Sequence, residues 1–152
     1  MYDNLLLESQ EEDMFVMEKP LIGNIKGLYC SGTIAVSSSI ETDAEKSCIL
    51  AEEMGHHYKT HGNILDLKDI RNFKQEKIAR NWAYEKLVCI HRLIDAFNLG
   101  VHKRYDLAEY LGITEVFLEE AIKHYKEKYG TYYEVDNYII YFEPHLAILK
   151  MF

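Results

Sequence analysis

Leu50-Ala51-Glu52-Glu53-Met54-Gly55-His56-His57-Tyr58 places two carboxylates and two imidazoles within six consecutive positions. On a helix, residues four apart lie on one face, about one turn from each other. Glu52 then pairs with His56, and Glu53 pairs with His57. Such a carboxylate–imidazole pair either grips a divalent cation or forms a plain ion pair. Thr42-Asp43-Ala44-Glu45 is a capping box that starts this helix, with the Thr42 hydroxyl accepting from the backbone at Glu45. The helix is expected to run from Asp43 to about Thr60, ended by His61-Gly62-Asn63. Ala44, Cys48, Ala51 and Gly55 recur at three- and four-residue spacing, a stripe of small residues that permits close packing.

Around this element the chain alternates between strand and helix signals. Residues 2–9 read as a short helix with Leu5, Leu6 and Leu7 inward, and Met14-Phe15-Val16-Met17 as a short strand stopped by Lys19-Pro20. Ser31-Gly32 is a tight-turn dipeptide between Ile25–Cys30 and Thr33–Ser37, which predicts a hairpin. That hairpin is either purely structural or an edge that adds an extended peptide as a further strand. Residues 62–73 read as a loop, followed by one long helix from about Lys74 to Asn98 with Ile78, Trp82, Leu87, Ile90, Ile94 and Phe97 as its core stripe and Gly100 closing it. Asp106 is expected to cap a helix over Leu107–Leu111, and Thr114 another ending near Tyr129-Gly130. Thr131–Val135 and Tyr138–Phe142 flank Asp136-Asn137 as a second hairpin, with Pro144 at its exit.

The zinc-peptidase signature H-E-x-x-H sets two ligands one turn apart and places beside the first a Glu that acts as general base. The corresponding residues here are Glu52-Glu53-Met54-Gly55-His56, with Glu52 in the first ligand position. A carboxylate is a legitimate zinc ligand. Glu53 is then the base, Glu52 and His56 are ligands, and Glu76 on the next long helix is the candidate third ligand. Ala79 and Ala83 keep that helix face small enough to pack on the motif helix. Shifting the register by one residue makes Glu53 and His57 the pair and puts Met54 where a base belongs, so the first register is preferred. Tyr58 and Tyr84 are placed near the motif as candidates to assist an oxyanion. His61, His91, His102, His124 and His145 lack ligand spacing and read as surface or packing residues; Cys48 reads as a small core residue.

Leu50 to His57, followed by Gln75-Glu76-Lys77-Ile78-Ala79-Arg80-Asn81-Trp82-Ala83-Tyr84-Glu85, resembles the ImmA/IrrE-type metallo-endopeptidases. The typical motif there is H-E-x-G-H, followed by a Glu-bearing helix that ends in an aromatic-Ala pair, matched by Trp82-Ala83. The likeness covers residues 46–90 well and 14–130 loosely. It implies a zinc enzyme of a prophage or mobile element that cleaves a helix-turn-helix repressor in the cytoplasm. By position, His56 and Glu76 are ligands, Glu53 is the base, and Glu52 stands where the family has His. Two carboxylates and one imidazole make a harder donor set than usual, one that also suits manganese or iron. The alternative is a catalytically inactive relative that binds its repressor through the same groove.

Composition narrows the remaining classes. With 17 Lys and Arg against 25 Asp and Glu, the formal net charge is −8, which disfavours binding to phosphate backbones. Leu107-Ala108-Glu109-Tyr110-Leu111-Gly112-Ile113-Thr114 has helix-turn-helix spacing, but the second helix opens with Glu115, Glu119 and Glu120, so packing or protein contact is expected rather than DNA binding. No apolar run approaches the roughly 18 residues of a membrane span. Three widely spaced cysteines fit a reducing compartment, and the start of the chain lacks a basic leader, so a cytoplasmic protein is expected. The expectation is one α+β domain over residues 1–152: a helical core carrying a zincin-like motif helix, a small antiparallel sheet, and a helix-turn-helix-like half (101–152) ending in a hairpin.

Overall fold

The computed structural model describes residues 1–59 and 70–152, with side chains from residue 72 in the second segment. The expected helix stop at His61-Gly62-Asn63 and most of the loop over 62–73 fall outside the described residues. The chain opens with helix α1 (Tyr2–Glu11) and strand β1 (Phe15–Lys19), then forms the hairpin β2 (Gly27–Cys30) and β3 (Thr33–Ser37). Leu5 of α1 is buried, whereas Leu7 is exposed. Adjacent helical positions point about 100° apart, so three consecutive leucines cannot share one buried face.

In the first sheet the strand order is β1-β3-β2. The hairpin pairs antiparallel as expected, but β1 runs parallel to β3, so this sheet is mixed rather than antiparallel. Central β3 is covered on both faces: Ile34 and Val36 are fully buried, and Ala35 and Ser37 nearly so. The alternation of Ile34 and Val36 with Ala35 and Ser37 therefore does not mark a solvent-facing side, since a strand covered on both faces need not present one. Strand β2 lies at the sheet edge.

Helix α2 (Asp43–Lys59) packs on α1, on β2 and β3, and most extensively on α3 (Ile70–Leu87). Thr42 Oγ1 accepts from the Glu45 backbone N–H at 3.3 Å, one half of the capping box, while the Glu45 carboxylate pairs with Lys26 rather than reaching back. The small-residue stripe serves the contact with α3. A Cβ on Gly55 would sit 2.4 Å from the carbonyl oxygen of Ala79, while Ala51, Ala79 and Ala83 are fully buried.

The expected single long helix is instead two, α3 and α4 (Ile90–Asn98), separated at Val88-Cys89. The break is stabilised by one side chain from a later helix and one from the first turn of α4. Tyr125 donates its hydroxyl to the Val88 carbonyl at 2.8 Å, and Arg92 donates to the Leu87 carbonyl at 3.1 Å. These donors replace the helical N–H groups that a continuous helix would supply, and Val88 itself is fully buried. Leu87, Ile90 and Ile94 lie in the core, but Ile78 is 47% exposed and is not part of the stripe.

Helix α5 (Arg104–Leu111) begins earlier than expected, with Lys103 at its N-cap and Asp106 inside its first turn rather than capping it. There Asp106 meets the positive end of the helix dipole. Gly112 leaves α5 with φ +73, a left-handed conformation that suits glycine. Thr114 caps α6 (Glu115–Tyr129) by accepting from the Phe117 N–H at 3.1 Å. The terminal hairpin, β4 (Tyr132–Val135) and β5 (Tyr138–Tyr141), forms as expected. A third strand, β6 (Ala147–Lys150), adds antiparallel to β5. Its sequence, Ala-Ile-Leu-Lys, is too short and too apolar to show a period of two. Rings of the Tyr-rich C-terminal half stack, with Tyr129 and Tyr133 centroids 4.1 Å apart and Tyr125 and Phe142 5.6 Å apart. One buried cluster runs from Tyr2 to Phe142. Among the described residues, no helix is long and apolar enough to cross a membrane.

Replacing a helical glycine by alanine normally stabilises a helix by up to about 1 kcal/mol. Gly55→Ala should do the opposite, because the added methyl must push α3 away. Overpacking of this kind costs about 1–3 kcal/mol, and urea titration of the variant should show the loss.

Candidate active site

Helix α2 deals its four motif side chains to two neighbours. Glu52 and His56 face α3, and Glu53 and His57 face β2. His56 Nε2 donates to Glu76 Oε1 across the helix contact at 3.3 Å, with the imidazole 5% and the carboxylate 28% exposed. That contact is short because Gly55 and Ala79 bring the two backbones together one residue from His56. On the other side, a Cβ at Gly27 of β2 would lie 2.6 Å from Glu53 Oε1. The absence of a side chain at position 27 therefore leaves room for the Glu53 carboxyl beneath the edge strand. Two residues along the same strand face, the Tyr29 hydroxyl meets His57 Nδ1 at 3.0 Å and accepts from the Gly32 N–H at 3.2 Å.

Burial sets the charge state of the centre. Desolvation pushes the Glu52 carboxyl up to about 7; Arg80 opposes this, while Glu120 and Glu76 add to it. Desolvation likewise pushes Glu53 up to about 7, with His56 opposing and Glu52 and Glu76 adding. Glu76 moves the other way, held below the usual carboxylate range chiefly by the hydrogen bond from His56. The site thus keeps one ionised carboxylate and two acids poised near neutrality, the separation of roles that acid–base chemistry uses.

The residues expected from the sequence therefore meet to different degrees. His56 and Glu76 are in direct contact; Glu52 and Glu53 lie within electrostatic reach of both. Two ligand atoms on one tetrahedral zinc, with bonds of about 2.0–2.2 Å, are separated by about 3.3–3.5 Å. The His56–Glu76 spacing has that value, and the donor set of one imidazole with Glu52 and Glu76 carboxylates fits a divalent cation in kind. Among the described residues, no three His, Cys, Asp or Glu side chains stand together in ligand geometry.

Several participants were not evident from the sequence. Arg80 lies one turn beyond Glu76 on α3, a spacing that could have pointed to it. Glu120 comes from α6, more than forty positions away in sequence, and only the packing of α6 on α3 brings it near Glu52. The Tyr84 hydroxyl donates to Glu120 Oε2 at 3.0 Å and so is already engaged. Tyr58 packs against Trp82 with the rings tilted by 32° and centroids 4.9 Å apart. Cys48 is buried, and its thiol is pushed up to about 12 by desolvation, consistent with a packing role. Of the other histidines, His124 is buried against Glu85 at 2.8 Å, His91 lies 3.8 Å from Asp136, and His102 packs edge-on to Phe97.

A carboxyl whose folded-state pKa lies above its unfolded value binds more protons when folded. Its contribution is therefore full below the usual 4.5 and is lost as pH rises through about 7. Metal-free protein should lose stability between about pH 5 and pH 8, on the order of 2–3 kcal/mol for each carboxyl. Glu52→Gln and Glu53→Gln should each flatten that slope, measured by urea titration in the presence of a chelator. No protein-family model, curated protein or solved structure matches the chain, so the chemistry of the site rests on its own residues.

Proposed function

We propose that the chain is a metal-dependent endopeptidase of the cytoplasm whose substrate is a helix-turn-helix repressor of a prophage or mobile element. The observation that carries this reading is the 3.3 Å contact of His56 with Glu76, set beside the carboxyl of Glu53 beneath the edge strand β2. His56 and Glu76 would hold the cation, with Glu52 as the third ligand. Zinc, or manganese or iron in so hard a donor set, supplies Lewis acidity and acidifies a bound water. Glu53 is the proton acceptor and later donor, and a carboxyl pushed up to about 7 exchanges protons readily at neutral pH. The edge of β2, unpaired on its outer side among the described residues, offers backbone donors and acceptors to an extended peptide. Strand addition there would lay the scissile bond over Glu53. The repressor as substrate follows from the resemblance of the motif residues to the ImmA/IrrE-type enzymes.

One observation favours the second reading, an inactive relative that binds its repressor as an interaction module. The positive charge of Arg80 acts on Glu52, so the protein itself supplies a cation to the carboxylate that stands where the family has His.

Protein purified without chelator should carry about one equivalent of zinc, manganese or iron per chain, and His56→Ala and Glu76→Gln should lose it. Glu53→Gln should keep the metal and cleave a co-encoded repressor about a hundredfold or more slowly than wild type. Metal-free protein, together with equal behaviour of Glu53→Gln and wild type, would sink the enzyme reading and leave the binding module.

A further inference from the structure

A cleft of about 260 Å³ opens between α3 and α6 directly beside the candidate centre, with Glu76 and Arg80 on one wall and Glu120 and Lys123 on the other. Its charges are balanced in number but not in commitment. Glu76 is held by His56, Glu120 accepts from Tyr84 at 3.0 Å, and Glu127 is paired with Lys77 at 3.1 Å. His124, also at the rim, is held by Glu85. Arg80 and Lys123 remain. Among the described residues, neither donates a hydrogen bond or forms an ion pair, although the charge of Arg80 reaches Glu52, Glu53 and Glu76 and that of Lys123 reaches Glu127. Every carboxylate in the cleft is thus hydrogen-bonded or ion-paired at short range, while two cations on facing helices act on carboxylates only from a distance.

We infer that this cleft is a subsite that receives the carboxylate of an aspartate or glutamate side chain in the bound peptide. Arg80 offers a planar fork of donors that matches a carboxylate, and Lys123 adds a point charge from the opposite wall. The acidic balance of the protein as a whole makes the feature more telling, because nothing in the bulk charge would draw an acidic peptide here. Arg80 lies one helical turn beyond Glu76, so the side chain bound in the cleft would belong to a residue close to the bond cleaved. The inference rests on the peptidase reading for that placement, but the binding itself does not require catalysis.

The test is therefore a binding measurement on metal-free protein. Amide correlation spectra of the full chain are titrated with a capped alanine peptide carrying one central glutamate, and with its glutamine and lysine twins. The glutamate peptide should shift amides of α3 and α6 around Arg80 and Lys123 and bind about tenfold more tightly than the glutamine twin. Arg80→Gln and Lys123→Gln, each checked for an unchanged spectrum elsewhere, should abolish that difference. Equal affinity of the glutamate and glutamine peptides, tighter binding of the lysine twin, or shifts confined to other surfaces would overturn the subsite. Selective binding without any cleavage or metal uptake would instead overturn the peptidase and leave the subsite standing.

Discussion

The contact between Gly55 of α2 and the Ala79 carbonyl of α3 governs the centre of this molecule. Helices that carry ordinary side chains pack with their axes about 8–10 Å apart; removing the Cβ at the crossing allows a nearer approach. That approach lets an imidazole on one helix reach a carboxylate on the other. It also leaves Glu52 and Glu53 half-buried and desolvated. A bulkier residue at position 55 would separate the partners and relieve the burial at once. The geometry and the electrostatics of the site therefore have a common cause.

What was legible in the sequence is what depends on neighbours along the chain. The capping box, the Ser31-Gly32 turn, the Thr114 cap and the small stripe of α2 each state their own reason within a few residues. The break between α3 and α4 does not, because one of its donors, Tyr125, comes from α6 and the apolar pattern continues across it. The parallel placement of β1 is equally silent, since no local signal distinguishes a strand that joins on one side of a hairpin from one that joins on the other. In the site the same division holds. Glu52, Glu53 and His56 follow from helical periodicity, and Glu76 from a second helix of suitable character. Glu120 and the cover that Gly27 leaves over Glu53 depend on packing that no spacing encodes.

The helix-turn-helix-like half takes on a different meaning once its contacts are seen. Arg104 pairs with Glu115 and Glu119 at the start of α6, so two of its acids are balanced within the motif itself. Glu120 turns toward α3 and the candidate centre. The third acid, although exposed, thus lies at the α3–α6 cleft, where it accepts from the Tyr84 hydroxyl and its charge acts on Glu52. The two halves of the chain share one charge network.

The mixed first sheet also bears on how the chain assembles. Strands β2 and β3 are joined by a two-residue turn, and closing so short a loop costs little chain entropy. Strand β1 must wait, because its parallel partner β3 follows it only after the whole of β2 has been traversed, and parallel neighbours cannot be joined by a tight turn. Local contacts form fastest, so the edge strand that roofs Glu53 is expected to pair with β3 before β1 completes the sheet. The roof of the site precedes the wall behind it.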